Sequence, residues 1–343
     1  MSTLRVNTLQ NTSTTDGGIS IDTSGHVTVD GVAMPSSGPL SNRNLIINGN
    51  FAINQRGGSN TTINTYALDR WRSYGGAMGF TISQQDVLST LSTSRYAMRF
   101  QRTSGNTQTN NTGVAQGIES KNCEGLAGTQ LTLSFKARAG ANLSGDFGYI
   151  FFFGTGTDEN PLGMTGQTSD VTSVVASTDW TSYTKTVTVP AGTTQITIGF
   201  SYTPSGTAGT NDWFEIAEVQ VERGSVATPF EHRSYGDELL RCQRYYCQSV
   251  PGSRTASSMT NEMLFGRGES YLSWTYPVIM RAVPSVVTSN DNGTGAGYYT
   301  VTSVNNYTNG TVLRNGVNQY SLLTPSSNAS YNTKTGYNAD AEL

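Results

Sequence analysis

The sequence predicts an all-β protein organised around a β-sandwich, on three observations. Charged residues make up only 13% of the 343-residue chain, against about 25% in an average soluble protein, and hydroxyls, amides and glycine take their place. Between Asn44 and about Arg233, short runs of alternating apolar and polar residues recur with turn signals between them, the pattern of a sandwich of short strands. Only one stretch, GDELLRCQRYY at Gly236–Tyr246, reads as a helix. The expected order is an extended N-terminal β tail over residues 1–40, the sandwich over 41–235, a connecting helix over 236–249 and a C-terminal β tip domain over 250–343.

The tail carries alternating pairs, Ile19/Ile21 and Val27/Val29, separated by glycine-bearing turns. It holds too little apolar material to close a core, so it is either disordered or ordered by pairing with other chains, and the alternation favours pairing. PSSGPLS, from Pro35, reads as a linker. In the sandwich the clearest strands are LTLSFKAR from Leu131, GYIFFF ending at Phe153, TSYTKTVTV from Thr181, QITIGFSY from Gln195 and WFEIAEVQV from Trp213. A period of two sends Leu131, Leu133, Phe135 and Ala137 inward and Thr132, Ser134, Lys136 and Arg138 outward, giving one dry face and one wet. In the last strand the same period groups Trp213, Glu215, Ala217, Val219 and Val221 against Phe214, Ile216, Glu218 and Gln220. In the helix Asp237 is the expected cap, Glu238 lies in the first turn, Arg241 and Arg244 lie toward the end, and Leu239, Cys242 and Tyr246 share a face. A helix this short does not persist alone in water, so that face must pack on something.

A net charge of −3 gives no counterion-release drive toward nucleic acid. No run approaches the roughly 20 apolar residues that span a bilayer, so membrane insertion is not expected. The opening MSTLRVNTLQNTSTTDGG lacks the apolar core of a signal peptide. Cys242 and Cys247 point in different directions on the expected helix, and all three cysteines read as free thiols made in a reducing cytoplasm.

NLIINGNF, LAGTQLTLSFKARAG, DWTSYTKTVTVPAGTTQITIGF and WFEIAEVQVERG, in that order and spacing, resemble the jelly-roll carbohydrate-binding modules of the galactose-binding-like superfamily over more than half the chain. The resemblance implies a jelly-roll fold more securely than it implies sugar binding. Related modules hold a structural calcium with an acid that Glu218 matches, together with groups near NGNF; Ala52 stands where an acid is common, which makes Glu218 a weak calcium candidate beside its reading as a salt-bridged or solvated acid. No other cofactor is expected. ATPFEHRSYGDELLRCQRYYCQS, PVIMRAVPSVV and the closing ADAEL are similar to the C-terminal part of tail-fibre proteins of bacterial viruses, including those infecting cyanobacteria. That resemblance implies an elongated homotrimer, in which Leu239, Leu240 and Tyr246 pack near a threefold axis; otherwise the helix caps the sandwich within one chain.

The expected chemistry is binding, not catalysis. The two histidines, His26 and His232, do not sit where a pocket is expected, and a triad needs a base oriented by a carboxylate and facing a nucleophile. The candidate acids are Asp146, Asp158, Glu159, Asp212, Glu215 and Glu218, and acids on alternate faces of one strand make no dyad. Candidate sugar contacts in the sandwich are Trp71 and Tyr74, near Asp69 and Arg70, against the plainer reading of a core tryptophan and a loop tyrosine; Trp180 and Trp213 read as structural. In the last segment Tyr298, Tyr299, Tyr307, Tyr320, Tyr331 and Tyr337 lie among glycines and amides, a composition suited to recognition, or else they bury against one another in a trimeric tip. The chain thus reads as a virion structural protein made in the host cytoplasm, a tail fibre docked on tail or adaptor proteins through residues 1–40 and touching a host glycan or receptor by multivalent adhesion. The rivals are a capsid-decorating fibre or spike, and a bacterial carbohydrate-binding protein or weak glycan depolymerase.

Overall fold

The computed structural model describes residues 8–10, 18–174, 177–248, 262–264, 268–289, 299–300, 311–315, 319–327, 332–334 and 336–342. Strands β1 (Thr8–Gln10), β2 (Gly18–Ile21), β3 (Val27–Val29) and β4 (Val32–Ala33) form one antiparallel sheet in chain order. The tail therefore pairs with itself, where pairing with other chains was expected. Its register sets Leu9, Ile19, Val29 and Val32 in a single row across the sheet, and all four remain exposed.

The sandwich follows as two six-stranded antiparallel sheets. Its strands are β5 (Ser59–Asn60), β6 (Tyr66–Leu68), β7 (Trp71–Gly75), β8 (Phe80–Asp86), β9 (Tyr96–Arg102), β10 (Thr112–Ile118), β11 (Gln130–Ala139), β12 (Gly145–Gly154), β13 (Thr168–Val174), β14 (Thr181–Thr188), β15 (Gln195–Pro204) and β16 (Trp213–Arg223). The first sheet has the order β13-β12-β15-β10-β7-β6 and the second β14-β11-β16-β9-β8-β5, so strands adjacent in the chain repeatedly cross between sheets, as in a jelly roll. The core between them is aromatic: Phe214 stacks on Phe100 at 5.4 Å and meets Phe147 at 4.4 Å, with Phe135, Phe200 and Tyr202 beside them. The inward set Leu131, Leu133, Phe135 and Ala137 is buried as the alternation requires.

In β16 the alternation breaks. Lys136 pairs with Ala217 while Ser134 pairs with Gln220, so β16 carries an extra residue, and Glu218 takes a left-handed φ of 52°. The bulge resets parity: Phe214 and Ile216 face the core before it, Val219 and Val221 after it. The Asn48–Phe51 turn holds the bulge from the far side, with Val219 N donating to Gly49 O at 2.9 Å. A Cβ on Gly49 would lie 2.1 Å from Val219 O, so only glycine fits there.

Helix α1 (Tyr235–Gln243) and β17 (Tyr246–Gln248) close the base of the sandwich. The N-cap is Ser234, not Asp237: its hydroxyl accepts from Asp237 N at 3.1 Å and donates to Asp237 Oδ2 at 2.7 Å. The helix buries Glu238 and Cys242, and Tyr245 continues that face. Tyr246 lies on β17, beyond the helix end, because the helix is shorter than its charged sequence suggests. Beyond it, β20 (Ser285–Ser289) and β25 (Gly336–Asp340) form a sheet of order β17-β25-β20. Two further sheets are built from β18 (Glu262–Leu264), β24 (Asn332–Lys334) and β21 (Tyr299–Thr300), and from β19 (Gly268–Thr275), β23 (Gln319–Ser327) and β22 (Thr311–Asn315).

The last residues return to the sandwich base. Arg70, 1% exposed, donates to Gly117 O at 2.6 Å, lies 3.6 Å from the Tyr245 ring centroid and pairs with Glu342, whose side chain is 3% exposed. Arg56 covers the Tyr246 ring at 3.7 Å and pairs with Asp340 at 3.1 Å and Glu342 at 3.6 Å. Arg281 donates to the Ala341 and Glu342 carbonyls at 2.9 and 3.0 Å. Removing one side of a buried pair strands the other charge, so Arg70→Ala or Glu342→Ala is expected to cost about 3–5 kcal/mol in denaturant unfolding, and a double apolar replacement much less. None of the three cysteines is in a disulfide and all are buried, and burial pushes Cys242 well up and Cys123 up to about 12. A disulfide-exchange reagent at about pH 8 should therefore leave the native protein untouched and titrate all three cysteines after denaturation.

Candidate binding surface

The outer face of the second sheet gathers a strip of aromatic and charged side chains. Arg138 on β11 and Arg99 on β9 flank Glu215 on β16, which is fully buried: Arg138 Nε donates to Oε2 at 2.6 Å, and Arg99 Nη2 and Nε donate to Oε1 at 2.6 and 2.8 Å. Held in this way, the guanidiniums bracket two half-buried tryptophans. Arg99 lies 4.1 Å from the Trp213 ring centroid, and Arg138 lies 4.9 Å from Trp180 and 5.7 Å from Trp213. Trp180 packs on the small cluster of Val87, Leu91, Ala97 and Ala217, and its Nε1 donates to Thr90 Oγ1 at 3.3 Å. Along the same face Lys136 Nζ lies 3.0 Å from Glu218 Oε2 and donates to Thr93 Oγ1 at 2.8 Å.

The sandwich residues expected to touch sugar are elsewhere. Trp71 is 0% exposed, donates to Asn48 O at 3.1 Å and lies tilted between Phe51 and Phe200: it is core, because β7 turns it inward. Tyr74 is buried on the opposite face of the first sheet, over the backbone of Gly199, so neither ring is offered to solvent. Asp69 and Arg70 belong to the base, where Gln55 N donates to Asp69 Oδ2 at 2.7 Å. Tyr299, Tyr320 and Tyr337 fall on β21, β23 and β25, while Tyr298, Tyr307 and Tyr331 lie outside the described residues. Of the helix contacts, Leu240 is 45% exposed, Leu239 is half-buried, and Tyr246 is covered by Arg56 of its own chain.

The acids are engaged one by one. Asp212 is fully buried with Arg102 at 3.2 Å and Ser144 Oγ at 2.8 Å; Asp158 accepts from Ser120 N at 2.8 Å; Glu159 accepts from Thr165 Oγ1 at 2.6 Å. The bulge brings Glu215 and Glu218 to one face, where strict alternation separates them, yet Glu215 is paired with Arg99 and Arg138 and Glu218 with Lys136. Glu218 turns its carboxylate to Lys136, away from the Asn48–Phe51 turn, and among the described residues no three acidic, His or Cys side chains converge as a metal site would need.

His26 does line a small cavity, of ≈ 360 Å³, between tail and sandwich. Asp22 Oδ2 lies 3.1 Å from His26 Nδ1, and His26 Nε2 lies 3.0 Å from Ser225 Oγ, the connectivity of an acyl-transfer triad. The oxyanion donors beside the hydroxyl are missing: Gly224 N donates to Gln130 O and Ser225 N to Ser36 Oγ. Asp22 is also more than half exposed, at 54%. The relay works as a clasp of the tail onto the sandwich.

Sequence parity already set Trp213 beside Glu215 and sent Arg138 outward. The strip was missed because Trp180 and Trp213 each lead into an apolar strand, a placement that reads as structural. No family model matches the chain, and no curated protein matches it. Among solved structures, the enzymatically active domain of tailspike protein 4 of bacteriophage CBA120 is similar at 14% identity over 52% of this chain and 21% of that one, with a TM-score of 0.36. TmCBM61 in complex with β-1,4-galactotriose is similar at 15% identity over 53% and 99%, with a TM-score of 0.31. A family 16 carbohydrate-binding module is similar at 11% identity over 47% and 99%, with a TM-score of 0.29. This chain spans about a fifth of the tailspike it matches.

Glu215→Ala removes the anion that orders both arginines; the expected cost is about 1.5–3 kcal/mol, with a change in tryptophan emission as Trp213 loses its fixed cover.

Proposed function

We propose that the chain is a non-catalytic glycan-binding protein of a bacterial virus, a tail fibre that attaches to the host surface by multivalent contact. The observation that carries the reading is the strip of Trp180, Arg138, Trp213 and Arg99 around buried Glu215 on an open sheet face. Half-buried aromatic rings offer flat apolar ground to the C–H face of a sugar ring, and the arginines offer donors to its hydroxyls. The likeness of residues 210–343 to tail-fibre sequences supports the viral setting. The uncovered row Leu9, Ile19, Val29 and Val32, and exposed Tyr235, Leu240, Ile279 and Val283 near the helix, support self-association as a homotrimer. The tail would then dock on virion tail or adaptor proteins, and three weak sites on one body would raise apparent affinity through effective concentration.

The full-length protein should scatter light as about three copies of 36.7 kDa, and on an array of oligosaccharides it should bind without releasing reducing ends. Trp180→Ala and Trp213→Ala should each weaken that binding about tenfold or more, which is about 1.4 kcal/mol. A monomer that binds no saccharide would overturn the reading, and new reducing ends would overturn its non-catalytic part.

A further inference from the structure

A second feature of the same face is a groove of ≈ 550 Å³ walled by three separate parts of the chain. Val32 comes from tail strand β4, Ser134, Lys136 and Glu218 from the second sheet, and Phe230 and His232 from the connection to the helix. Phe230 and His232 meet edge-on with ring centroids 4.9 Å apart.

Glu218 is the unusual member. Its side chain is only 7% exposed and its backbone is held at a φ of 52°, a conformation that persists in a non-glycine residue only where the surroundings enforce it. Its Oε2 is matched by Lys136 at 3.0 Å, but its Oε1 is buried with no hydrogen-bond partner. A buried carboxylate oxygen without a donor is costly, and the structure leaves this one beside a groove large enough for a sugar ring.

We infer that this groove is a subsite for a neutral, hydroxyl-rich ring, with Glu218 Oε1 accepting a hydroxyl from the ligand and Phe230 lying against its C–H face. The inference rests on the glycan-binding reading and specifies its substrate class. The unmatched atom is an acceptor, so it selects a group that donates, and a ligand carboxylate at that point would face a like charge in a poorly hydrated space. Because Val32 forms one wall, the subsite is complete only when the tail sheet is docked on the sandwich, as the His26–Ser225 contact docks it.

Calorimetry and saturation-transfer NMR on the full chain with β-1,4-galactotriose, xylohexaose and, for contrast, a galacturonic acid trimer would test this. At least one neutral probe should bind and the acidic trimer should not. Glu218→Gln, which replaces the charged acceptor, and Thr184→Trp, which fills the groove from an exposed position outside the apolar row of the tail, should each weaken neutral binding about tenfold or more while thermal unfolding stays cooperative. Neutral binding lost in Trp180→Ala and Trp213→Ala but unchanged in Glu218→Gln and Thr184→Trp would overturn the subsite and leave the glycan reading standing. Failure of both neutral probes would overturn the subsite, and preference for the acidic trimer would overturn the assigned ligand class.

Discussion

The pairing of Arg70 with Glu342 is the constraint on which the rest of the architecture depends. The two residues are 272 positions apart, and each is buried deeply enough that removing its partner would leave a poorly compensated charge out of water. Arg70 sits in the tight turn between β6 and β7 with a left-handed φ of 71°, a strained position kept by Gly117 O, the Tyr245 ring and Glu342 together. The consequence is topological. Tyr246 pairs with Asp340 across β17 and β25, so the polypeptide leaves the sandwich base and returns to it at one place. The C-terminal segment is an excursion pinned at both ends, and the helix that precedes it is a plug in the base more than a spacer. Joining contacts so distant in sequence adds a loop-closure cost that neighbouring strand pairs do not meet, and that cost grows only slowly with separation.

The second constraint is the bulge at Glu218. Strand β16 lies at the centre of its sheet, between β11 and β9, and it must carry core side chains at both ends. A strict period of two would put Phe214 and Val219 on opposite faces. One inserted residue lets both point inward, and it leaves Glu218 on the outer face in a left-handed conformation. The NGN turn supports the insertion by bringing the Gly49 carbonyl against Val219 N, which a side chain at position 49 would forbid. Both the platform around Glu215 and the groove beside Glu218 are therefore by-products of how the core is satisfied.

The all-β class and the inward set of β11 were legible because each depends on local periodicity, which a pleated strand enforces residue by residue. The faces of β16 were not, since a bulge is decided by a partner more than a hundred residues away, here the Asn48–Phe51 turn. Of the two readings of Trp71 the plainer one, a core tryptophan, is the one the structure bears out; what DRWRSYGG does not show locally is that its first residues form a tight turn whose arginine is the buried half of a long-range pair. Ser234 was passed over as the cap because Asp237 is also a good capping residue. Only the geometry shows the serine accepting from the third amide while the aspartate answers it. The clamp itself left a trace in the closing ADAEL, but nothing local to those residues says which arginines they meet.

On the proposed reading, the platform gains its value from being finished before a ligand arrives. A free arginine loses roughly 2 kcal/mol of rotamer freedom when it is fixed, and a binding surface made of loose arginines would meet that cost on contact. Here Glu215, wholly out of solvent, fixes both guanidiniums during folding and holds them against the tryptophan rings. Its own charge is balanced by the same two contacts, so the strip carries a small net positive charge and few unsatisfied groups. Such a surface has little to reorganise and little charge to attract a strongly anionic partner over one that is merely hydroxylated. Rigid and nearly neutral contact of this kind gains most from repetition, so in the proposed homotrimer the exposed apolar row of the tail and the sandwich surface would belong to one physical account: the row would give copies a reason to associate, and association would multiply a site that is modest alone.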